Sequence, residues 1–361
     1  MRRTTPLIVG AGPAGSAAAL ALASAGTRAT LVERTRETGD AICGGFVSWR
    51  TLASLRHLGL AADAFGGHPI DTVRLFAGDR RFETQLPHAA VGLSRHRLDT
   101  VMQAAAVARG VGFERGVDVR AVEGNTARLG DGAALDGDAL FLGTGKHDVR
   151  GATRPRDDDD PTIGIRLRLP AHPRLTALVG GAIELHLFDR AYVGVVLQED
   201  GSANLCLATR KSRLTEAGGR PEALLAAFAH GNALGDRLAH ADGRAADAIG
   251  AVPYGWRTAD TVPGLFRLGD QAAVIPSLAG EGIGIAVASG IAAAKAYAAG
   301  GPQASAGYQA DFARRTRRPV AVAARLWHAA ESPFAPRFAL PLLAAVPSLA
   351  RVAARLTRIG V

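Results

Sequence analysis

Short apolar runs, glycine turns and alanine-rich stretches alternate along the first part of the chain. Leu7–Val9 predicts a buried strand, residues 13–25 predict a helix that starts at glycines, and residues 29–32 predict a second strand. This order of strand, helix and strand is typical of a doubly wound α/β domain. Residues 138–142 and 265–268 predict two more buried strands, each followed by a glycine turn.

A different pattern, in which apolar and polar residues alternate, begins near residue 162. It continues to residue 207 in short runs separated by turn residues, which indicates a largely antiparallel sheet. The acidic run at 157–160 precedes it and is predicted to be a solvated linker. After residue 257 the pattern of strand, turn and helix returns. The sequence thus predicts an α/β domain that is completed only after an inserted antiparallel-sheet domain.

The boundaries of these units follow from the changes of pattern. Residues 1–160 are the first part of the α/β domain, with an excursion into the second domain near 65–95, and residues 161–255 are the antiparallel-sheet domain. Residues 256–300 complete the α/β domain, and residues 301–361 form a C-terminal helical region. With 361 residues, 48% of them hydrophobic, the chain can build two such cores.

The chain has only two cysteines, Cys43 and Cys206, which are far apart and not in metal-ligand spacing. A disulfide scaffold and a metal site are therefore not expected, and the reducing cytoplasm is the expected compartment. Residues 1–6 lead directly into a strand and a glycine turn, so no signal peptide is predicted. Cys206 lies in an apolar strand and is predicted to be a core residue.

The formal net charge of +9 suggests two classes of partner, nucleic acid and anionic membrane. The sequence has no helix-turn-helix, zinc-finger or RNA-binding pattern, and only 5% of its residues are aromatic, so no nucleic acid is expected. The apolar stretch at 338–350 has 13 residues and two prolines, too short to span a bilayer. Arg351, Arg355 and Arg358 recur at helical spacing. They predict either a basic helix in peripheral contact with the inner face of the membrane, or a helix packed on the protein itself.

The turn after the first strand has the pattern Gly-x-Gly-x-x-Gly, formed by Gly10, Gly12 and Gly15. Gly10 permits the tight turn, Gly12 lets the backbone approach a pyrophosphate, and Gly15 lets helix and strand pack closely. Glu33 ends the second strand 18 residues after Gly15. A carboxylate at this place accepts hydrogen bonds from the ribose hydroxyls, and its negative charge disfavours a 2′-phosphate. The pattern therefore predicts a bound dinucleotide, FAD or NAD and not NADP.

Residues 267–286 decide between these two. They contain Gly-Asp, a proline and Gly-Glu-Gly in an order that resembles the second FAD fingerprint of the para-hydroxybenzoate hydroxylase and geranylgeranyl reductase superfamily. The resemblance implies that Asp270 holds the ribityl chain, that Pro276 lies by the isoalloxazine, and that residues 280–282 open a helix facing the flavin. Amides at such a helix start would stabilise the negative charge of reduced flavin. Together the two patterns favour FAD.

Three other segments match the same superfamily. Residues 43–48 resemble the cysteine-glycine segment of the reductases, Arg95 matches an arginine that contacts FAD, and residues 144–145 stand where the hydroxylases have Asp-Gly. The resemblance, which extends over residues 5–300, implies a Rossmann-like FAD-binding domain of the glutathione reductase type with an inserted antiparallel-sheet substrate domain and C-terminal helices. The FAD contacts that it implies are Gly10, Gly12, Pro13, Ala14, Gly15, Glu33, Arg34, Gly44, Arg95, Val119, Thr144, Gly145, Gly269, Asp270, Pro276, Gly280, Gly282 and Ile283.

The departures from the superfamily pattern concern the substrate side. Ala273 replaces a histidine of the hydroxylases, and Gly194 replaces a tryptophan of the reductases, which should enlarge the pocket in front of the flavin. The predicted catalytic residues are Cys43, Tyr192 and Glu281. Cys43 is interpreted as a proton donor or flavin contact, or else as a small buried residue. Glu281 is interpreted as a group that tunes the flavin or relays a proton, or else as a helix cap.

Four more polar residues have two interpretations each. Glu184 and His186 lie, like Tyr192, in the alternating region, where they face either the substrate or solvent. Lys146 and His147 are interpreted as surface residues or as neighbours of an entering nicotinamide cofactor.

The favoured function is an FAD-dependent oxidoreductase that takes electrons from NADPH or NADH bound transiently. It is expected to be a monooxygenase that hydroxylates a lipophilic aromatic substrate, a phenolic lipid or polyketide. One alternative is a flavin-dependent reductase of isoprenoid double bonds, favoured by the segment at 43–48. Another is a flavin-holding, membrane-associated partner protein. No oligomeric state is predicted.

Overall fold

The chain forms sixteen strands and eleven α-helices within residues 5–155, 159–239 and 246–360, which the computed structural model describes. In chain order the strands are β1 Leu7–Val9, β2 Thr30–Glu33, β3 Phe46–Val47, β4 His68–Ala77, β5 Arg80–Gly92, β6 Gly112–Arg115, β7 Val119–Glu123, β8 Thr126–Leu129, β9 Ala134–Asp136, β10 Leu140–Leu142, β11 Thr162–Leu169, β12 Ala182–Phe188, β13 Ala191–Leu197, β14 Ala203–Arg210, β15 Asp247–Ile249 and β16 Leu265–Arg267. The helices are α1 Pro13–Ser24, α2 Trp49–His57, α3 Arg95–Ala108, α4 Pro173–Val179, α5 Lys211–Glu216, α6 Pro221–Ala229, α7 Ala233–Leu238, α8 Gly282–Gly300, α9 Ser305–Ala330, α10 Ala335–Ala345 and α11 Ser348–Leu356. Single turns of 3-10 helix lie at Ala62–Phe65, Gly269–Gln271, Ser277–Ala279 and Gly301–Ala304.

Five short strands pair in one parallel sheet in the order β16-β10-β1-β2-β6. Its central residues, among them Ile8, Leu31 and Phe141, are fully buried, as expected for a parallel sheet with both faces covered. The last strand to join, β16, comes more than 100 residues after β10 in the sequence. The parallel sheet is therefore completed by a late segment of the chain.

The intervening chain builds a second sheet, of eight strands in the order β15-β11-β14-β13-β12-β4-β5-β3. Its pairs are antiparallel except for β12 with β4, which run parallel. The long hairpin of β4 and β5 lies within the segment near 65–95. The arrangement confirms the predicted fold class, whereas the domain boundaries themselves stay a prediction. The small sheet of β7, β8 and β9 was not predicted.

Helices α1 and α8 pack with their backbones almost in contact. Both are rich in alanine and glycine and are buried along most of their length. A Cβ atom added to Gly290 would lie 2.3 Å from the carbonyl oxygen of Ala14 and 2.7 Å from the amide nitrogen of Ala18. Only glycine at position 290 permits this distance, and the contact holds the first turns of α1 against the middle of α8.

The second sheet has two different faces because its residues alternate. Val193, Val195 and Leu205 pack on helices α4, α6 and α7 and form an apolar core with Leu224 and Phe228. The residues between them, such as Tyr192 and Gly194 of β13 and Cys206 of β14, line a cavity on the opposite side. The prediction that Cys206 is a core residue is wrong, because its position in the alternation turns it to the cavity.

Glu184 and His186 face neither the substrate nor solvent, so both interpretations of these residues are wrong. They lie on the helix-covered side of β12 and are 0% and 2% exposed. The carboxylate of Glu184 accepts hydrogen bonds from Arg237 of α7 at 2.7 and 2.9 Å and from Arg74 of β4. Burial alone would raise the pKa of Glu184, but hydrogen bonds from His186 and Arg237 outweigh it and lower the pKa to about 2.

The predicted linker at 157–160 lies partly outside the described residues, which exclude 157 and 158. Asp160 is not simply solvated. Its two carboxylate oxygens accept hydrogen bonds from the backbone and the hydroxyl of Ser212, each at 2.7 Å, at the start of α5.

The chain after the parallel sheet is helical. The run Gly282–Ala330 is long and apolar enough to cross a membrane, but 61% of its most apolar stretch is buried inside the protein, as in a core helix. Helices α10 and α11 follow, and their axes are bent by 111° at the break between them.

Replacing Glu184 by glutamine should destabilise the protein at neutral pH by about 3 to 5 kcal/mol, because Arg74 and Arg237 would keep buried charges without a carboxylate. The pKa of Glu184 is lower in the folded than in the unfolded chain. The stabilisation is therefore present above the unfolded pKa, 4.5, and is lost as the pH falls towards about 2. Urea unfolding of both proteins between pH 7 and pH 3 should show a difference in the free energy of unfolding that shrinks below about pH 4.5.

The control is Glu83→Gln. Glu83 also pairs with Arg74, but its side chain is 39% exposed, so the substitution should lower the free energy of unfolding much less. A difference independent of pH would contradict the assignment.

Candidate active site

One large cavity lies between the two main sheets. Its volume is about 1160 Å³, above the roughly 300 to 1,000 Å³ of pockets for drug-sized ligands. Its walls come from the turn after β1, the end of β2, helix α3, the turn after β10, the start of α8 and one face of β12, β13 and β14. The cavity thus has room for an extended dinucleotide beside a second molecule.

Nearly all residues predicted for the site line this cavity. They are Gly10, Gly12, Pro13, Ala14, Glu33, Arg34, Cys43, Gly44, Arg95, Val119, Thr144, Gly145, Tyr192, Gly269, Asp270, Gly280, Glu281, Gly282 and Ile283. Gly15 and Pro276 do not. Gly15 packs α1 against the turn, where an added Cβ would lie 1.9 Å from the carbonyl oxygen of Gly10. Pro276 is buried, and its neighbours Ile275 and Ser277 form the wall in its place.

The turn between β1 and α1 requires glycine for steric reasons. Gly10 has a φ of +95°, and a Cβ there would lie 2.5 Å from the carbonyl oxygen of Gly143, which follows β10. A Cβ on Gly12 would lie 3.1 Å from a guanidinium nitrogen of Arg95. Gly12 therefore leaves a gap between the first turn of α1 and a cationic side chain, the surroundings that a pyrophosphate needs.

Helix α3 presents a row of polar side chains to this turn at intervals of four residues. Arg95 donates to both carboxylate oxygens of Asp99, at 2.7 and 3.1 Å. One turn later the side-chain amide of Gln103 donates to the carbonyl oxygen of Ala11 at 2.8 Å. Gln103 was not predicted, although its spacing from Arg95 and Asp99 places it on the same helix face.

Glu33 ends β2 beside the glycine turn. One of its carboxylate oxygens accepts a hydrogen bond from the amide of Ala11 at 2.8 Å, and the other accepts one from the amide of Thr35 at 3.2 Å. The side chain is only partly buried. The carboxylate is thereby fixed at the cavity edge, where it can accept further hydrogen bonds from ligand hydroxyls.

Helix α8 begins at the other end of the cavity. Gly280 has a φ of +61°, and a Cβ there would lie 3.0 Å from the ring of Phe46. The Glu281 side chain is fully buried and makes no capping hydrogen bond to the helix, so the interpretation of Glu281 as a side-chain cap is wrong. Instead its carboxylate accepts hydrogen bonds from Arg358 at 2.9 Å and from the amide of Ile359 at 3.1 Å. Burial raises the pKa of Glu281, and Arg358 opposes the rise.

Two phenols and a serine meet on the cavity wall below the second sheet. The hydroxyls of Tyr192 and Tyr254 both form hydrogen bonds with the hydroxyl of Ser277. Burial raises the pKa of each tyrosine, so both stay neutral phenols at physiological pH. Apolar side chains surround this phenol cluster, among them Leu278 and Trp327. The sequence predicted Tyr192. Ser277 could have been predicted, because it follows Pro276 in the same motif. Tyr254 lies in an irregular segment that no sequence pattern marks.

Both cysteines lie on the cavity wall and are free thiols. The thiol of Cys206 lies 3.0 Å from the carbonyl oxygen of Cys43, to which it donates. Burial raises the pKa of Cys206 to about 12, so this group is a protonated thiol. The Cys43 segment is thus held against β14.

Lys146 and His147 line the cavity at its rim, where His147 is exposed, as the interpretation of these residues as surface residues expects. The ammonium of Lys146 lies 3.8 Å from the carboxylate of Asp270. The ring of His147 contacts the guanidinium of Arg34 at 2.7 Å. Lys146 adds positive charge beside the glycine turns, whereas partial burial and the neighbouring Arg34 lower the pKa of His147.

The residues present fit FAD. The glycine turn with Arg95 suits the pyrophosphate, Glu33 suits the ribose hydroxyls, and Asp270 suits the ribityl chain. The first amides of α8 lie at the far end of the cavity, where the negative charge of a reduced flavin would be stabilised.

Comparison with known proteins agrees with this geometry. Residues 3–132 match the FAD binding domain family. No curated protein matches the sequence.

Solved structures of several flavoproteins resemble the whole chain. The complex of Pseudomonas aeruginosa PqsL with 2-aminobenzoylacetate gives a TM-score of 0.74 at 18% identity over 93% of this chain and 100% of that one. A geranylgeranyl bacteriochlorophyll reductase-like protein from Thermoplasma acidophilum gives 0.75 at 18% identity over 99% and 94%. A variant of 2-methyl-3-hydroxypyridine-5-carboxylic acid oxygenase gives 0.69 at 17% identity over 92% and 94%. These likenesses and the domain match confirm the fold, the FAD-binding domain and the resemblance to this superfamily.

Replacing Gly10 by alanine should lower bound flavin at least tenfold, because the new Cβ meets Gly143 and the backbone at φ +95° is strained. Gly26→Ala is a matched control, since Gly26 has a φ of +73° but no atom lies within 4 Å of the added Cβ. Flavin absorbance per mole of purified protein, with circular dichroism to verify folding, measures the effect. Equal flavin content in the two variants would contradict the role of the turn.

Proposed function

We propose that the protein is an FAD-dependent oxidoreductase and, within that class, a monooxygenase that hydroxylates a lipophilic aromatic substrate. The supporting observation is the continuity of the cavity, which runs from the glycine turn through the start of α8 to the phenol cluster under the second sheet. A dinucleotide bound along the turns would leave the apolar end free for a substrate.

Bound FAD would supply two-electron transfer from a nicotinamide cofactor, NADPH or NADH, and activation of molecular oxygen. The chain's own residues bind and orient. Arg95 offers a fixed positive charge to the pyrophosphate, and Glu33 accepts hydrogen bonds from the ribose. The amides that begin α8 stabilise negative charge near its N-terminus.

The substrate end of the cavity is lined mainly by apolar side chains. Ile183, Leu185, Ala208 and Leu278 line it, together with the backbone of Gly194. A Cβ on Gly194 would meet only ordinary contacts, the nearest at 3.7 Å from Leu185, so the wall there is open and flat. Such a surface suits a planar ring with apolar substituents better than a polar metabolite. This supports a lipophilic aromatic substrate.

The phenol cluster gives that end a polar group with a defined role. Tyr192, Tyr254 and Ser277 share hydrogen bonds, and each hydroxyl can donate and accept. A phenolic substrate can therefore donate its proton to the hydroxyl of Tyr192 while Ser277, which is exposed, passes a proton to solvent. Removing this proton as the ring is attacked makes the ring richer in electrons, which favours hydroxylation.

The second candidate is a flavin-dependent reductase of isoprenoid double bonds. The observation in its favour is the position of Cys43, whose glycine-rich segment lines the cavity between the start of α8 and β14. A thiol there could donate a proton to a reduced carbon.

Oxygen dependence separates the candidates. The FAD-loaded protein would be given NADPH or NADH with phenolic lipids, or with prenyl lipids, under isotopically labelled oxygen or under argon. Label in a phenolic product supports the monooxygenase, whereas saturation of a prenyl chain under argon supports the reductase. FAD binding without turnover of either substrate class would overturn both and favour a flavin-holding partner protein.

Tyr192→Phe should lower hydroxylation about 100-fold, the lower end of the usual contribution of a general acid or base. FAD content and the rate of reduction by NADPH or NADH should change little, because the lost hydroxyl lies at the substrate end. Tyr297→Phe is the matched control, since that hydroxyl donates to Asp138 outside the cavity. Steady-state turnover as a function of pH measures the effect, and the deficit of the variant should shrink as the pH rises and the substrate phenol ionises without the relay. Unchanged turnover in Tyr192→Phe would remove the relay from the mechanism.

A further inference from the structure

The last two described helices carry a ridge of exposed apolar side chains. It consists of Phe334, Phe338, Leu342, Val346, Leu349 and Val352, which we call the C-terminal ridge. Their exposed fractions run from 40% at Val346 to 76% at Phe338. The spacing of four residues places Phe334, Phe338 and Leu342 along one face of α10. The spacing of three places Leu349 and Val352 on one face of α11, after the bend.

Exposed large apolar side chains are otherwise scattered in the described part of the chain. The others are Val107, Val262 and Leu326. Single residues of this kind are normal on a protein surface, but a contiguous apolar row marks an interaction site.

The charge beside the ridge has one sign. Residues 332–360 contain four arginines and neither aspartate nor glutamate. Arg337, Arg351 and Arg355 are exposed, and the last two lie one turn apart on α11 beside Leu349 and Val352. A surface that combines apolar side chains with unopposed positive charge is complementary to an anionic bilayer, whose headgroups attract arginine and whose acyl region accepts the apolar groups.

Anchors at both ends hold the ridge outward. Pro336 and Leu340 are buried on the inner side of α10, which packs on β4 and β5. After α11, Arg358 is buried against Glu281, and Ile359 is 5% exposed. Helix α11 contacts β5 and α9, as the alternative of a helix packed on the protein expects, while Leu349 and Val352 on its outer face stay exposed.

We propose that the C-terminal ridge docks the protein on the surface of an anionic lipid bilayer. The helices lie on the surface and do not cross it, because they have 11 and 9 residues and meet at a bend of 111°. The proposal is independent of the reaction catalysed, although a lipophilic substrate would be most concentrated at the same surface.

The test uses the full-length, FAD-loaded protein and vesicles of phosphatidylcholine, with or without phosphatidylglycerol. Flotation should show binding to the anionic vesicles only, weakened by salt because exposed charges are screened. The variant with Phe338→Ser and Leu342→Ser should bind at least tenfold more weakly. Its matched control carries Val107→Ser and Val262→Ser, which remove exposed apolar groups elsewhere.

A second pair of variants tests the charge. Arg351→Gln with Arg355→Gln should lower binding to anionic vesicles about tenfold or more, at roughly 1 kcal/mol for each charge near the surface. Arg28→Gln with Arg56→Gln makes the same change of net charge on exposed residues of the first domain and should have little effect.

Three results would overturn the proposal. The first is no binding to anionic vesicles, and the second is equal binding by the serine variant of the ridge and its control. The third is a dimer in light scattering that is absent in the ridge variant, together with no binding of the unchanged protein to vesicles. The last would identify a second copy as the occupant. Flavin content and circular dichroism show that each variant is folded, and none of these measurements depends on turnover.

Discussion

The close contact between α1 and α8 is the constraint on which the site depends. Two helices that start more than 260 residues apart approach until Gly290 touches the backbone of Ala14. Any side chain at position 290 would push them apart. Since each helix begins at a glycine turn on the cavity wall, this contact sets the distance between the turn that suits the pyrophosphate and the amides that face the flavin. The geometry of the cofactor site is therefore decided by helix packing in the core.

The second sheet completes the cavity because one of its faces packs on helices and the other lines the cavity. Along β12 and β13 each inward residue is followed by one that faces the helices, so a buried ion cluster around Glu184 and the phenol cluster at Tyr192 lie on opposite sides of the same sheet. The arginines of the first cluster stiffen the sheet from behind, since every polar group there has a partner. On the cavity side, β12 and β13 present apolar residues and the hydroxyl of Tyr192, whereas β11 and β15 carry the ion pair of Arg166 and Asp247.

Local patterns predicted the parts of the site that depend on local geometry. Gly10, Gly12 and Glu33 belong to one strand-turn-helix-strand unit, whose spacing alone determines where they lie. Local patterns do not predict which side of the sheet a strand residue faces. Period-two alternation gives two faces, but it does not say which face the helices cover and which lines the cavity. For that reason Glu184 and Cys206 were assigned to the wrong surroundings. Tyr254 comes from a segment without a pattern, and the helical spacing of Arg358 gives no sign of its contact with Glu281. Only the tertiary fold brings these two residues to the site.

The buried ion pair of Glu281 and Arg358 joins the start of α8 to the segment that follows α11. A carboxylate beside the flavin-facing helix would be costly to bury unpaired, and the arginine that compensates it comes from the end of the chain. Only Thr357 separates that arginine from α11, the helix that carries part of the exposed ridge. The same segment of the chain thus carries two features: an arginine that offsets the burial of Glu281 and, just before it, apolar side chains that stay exposed.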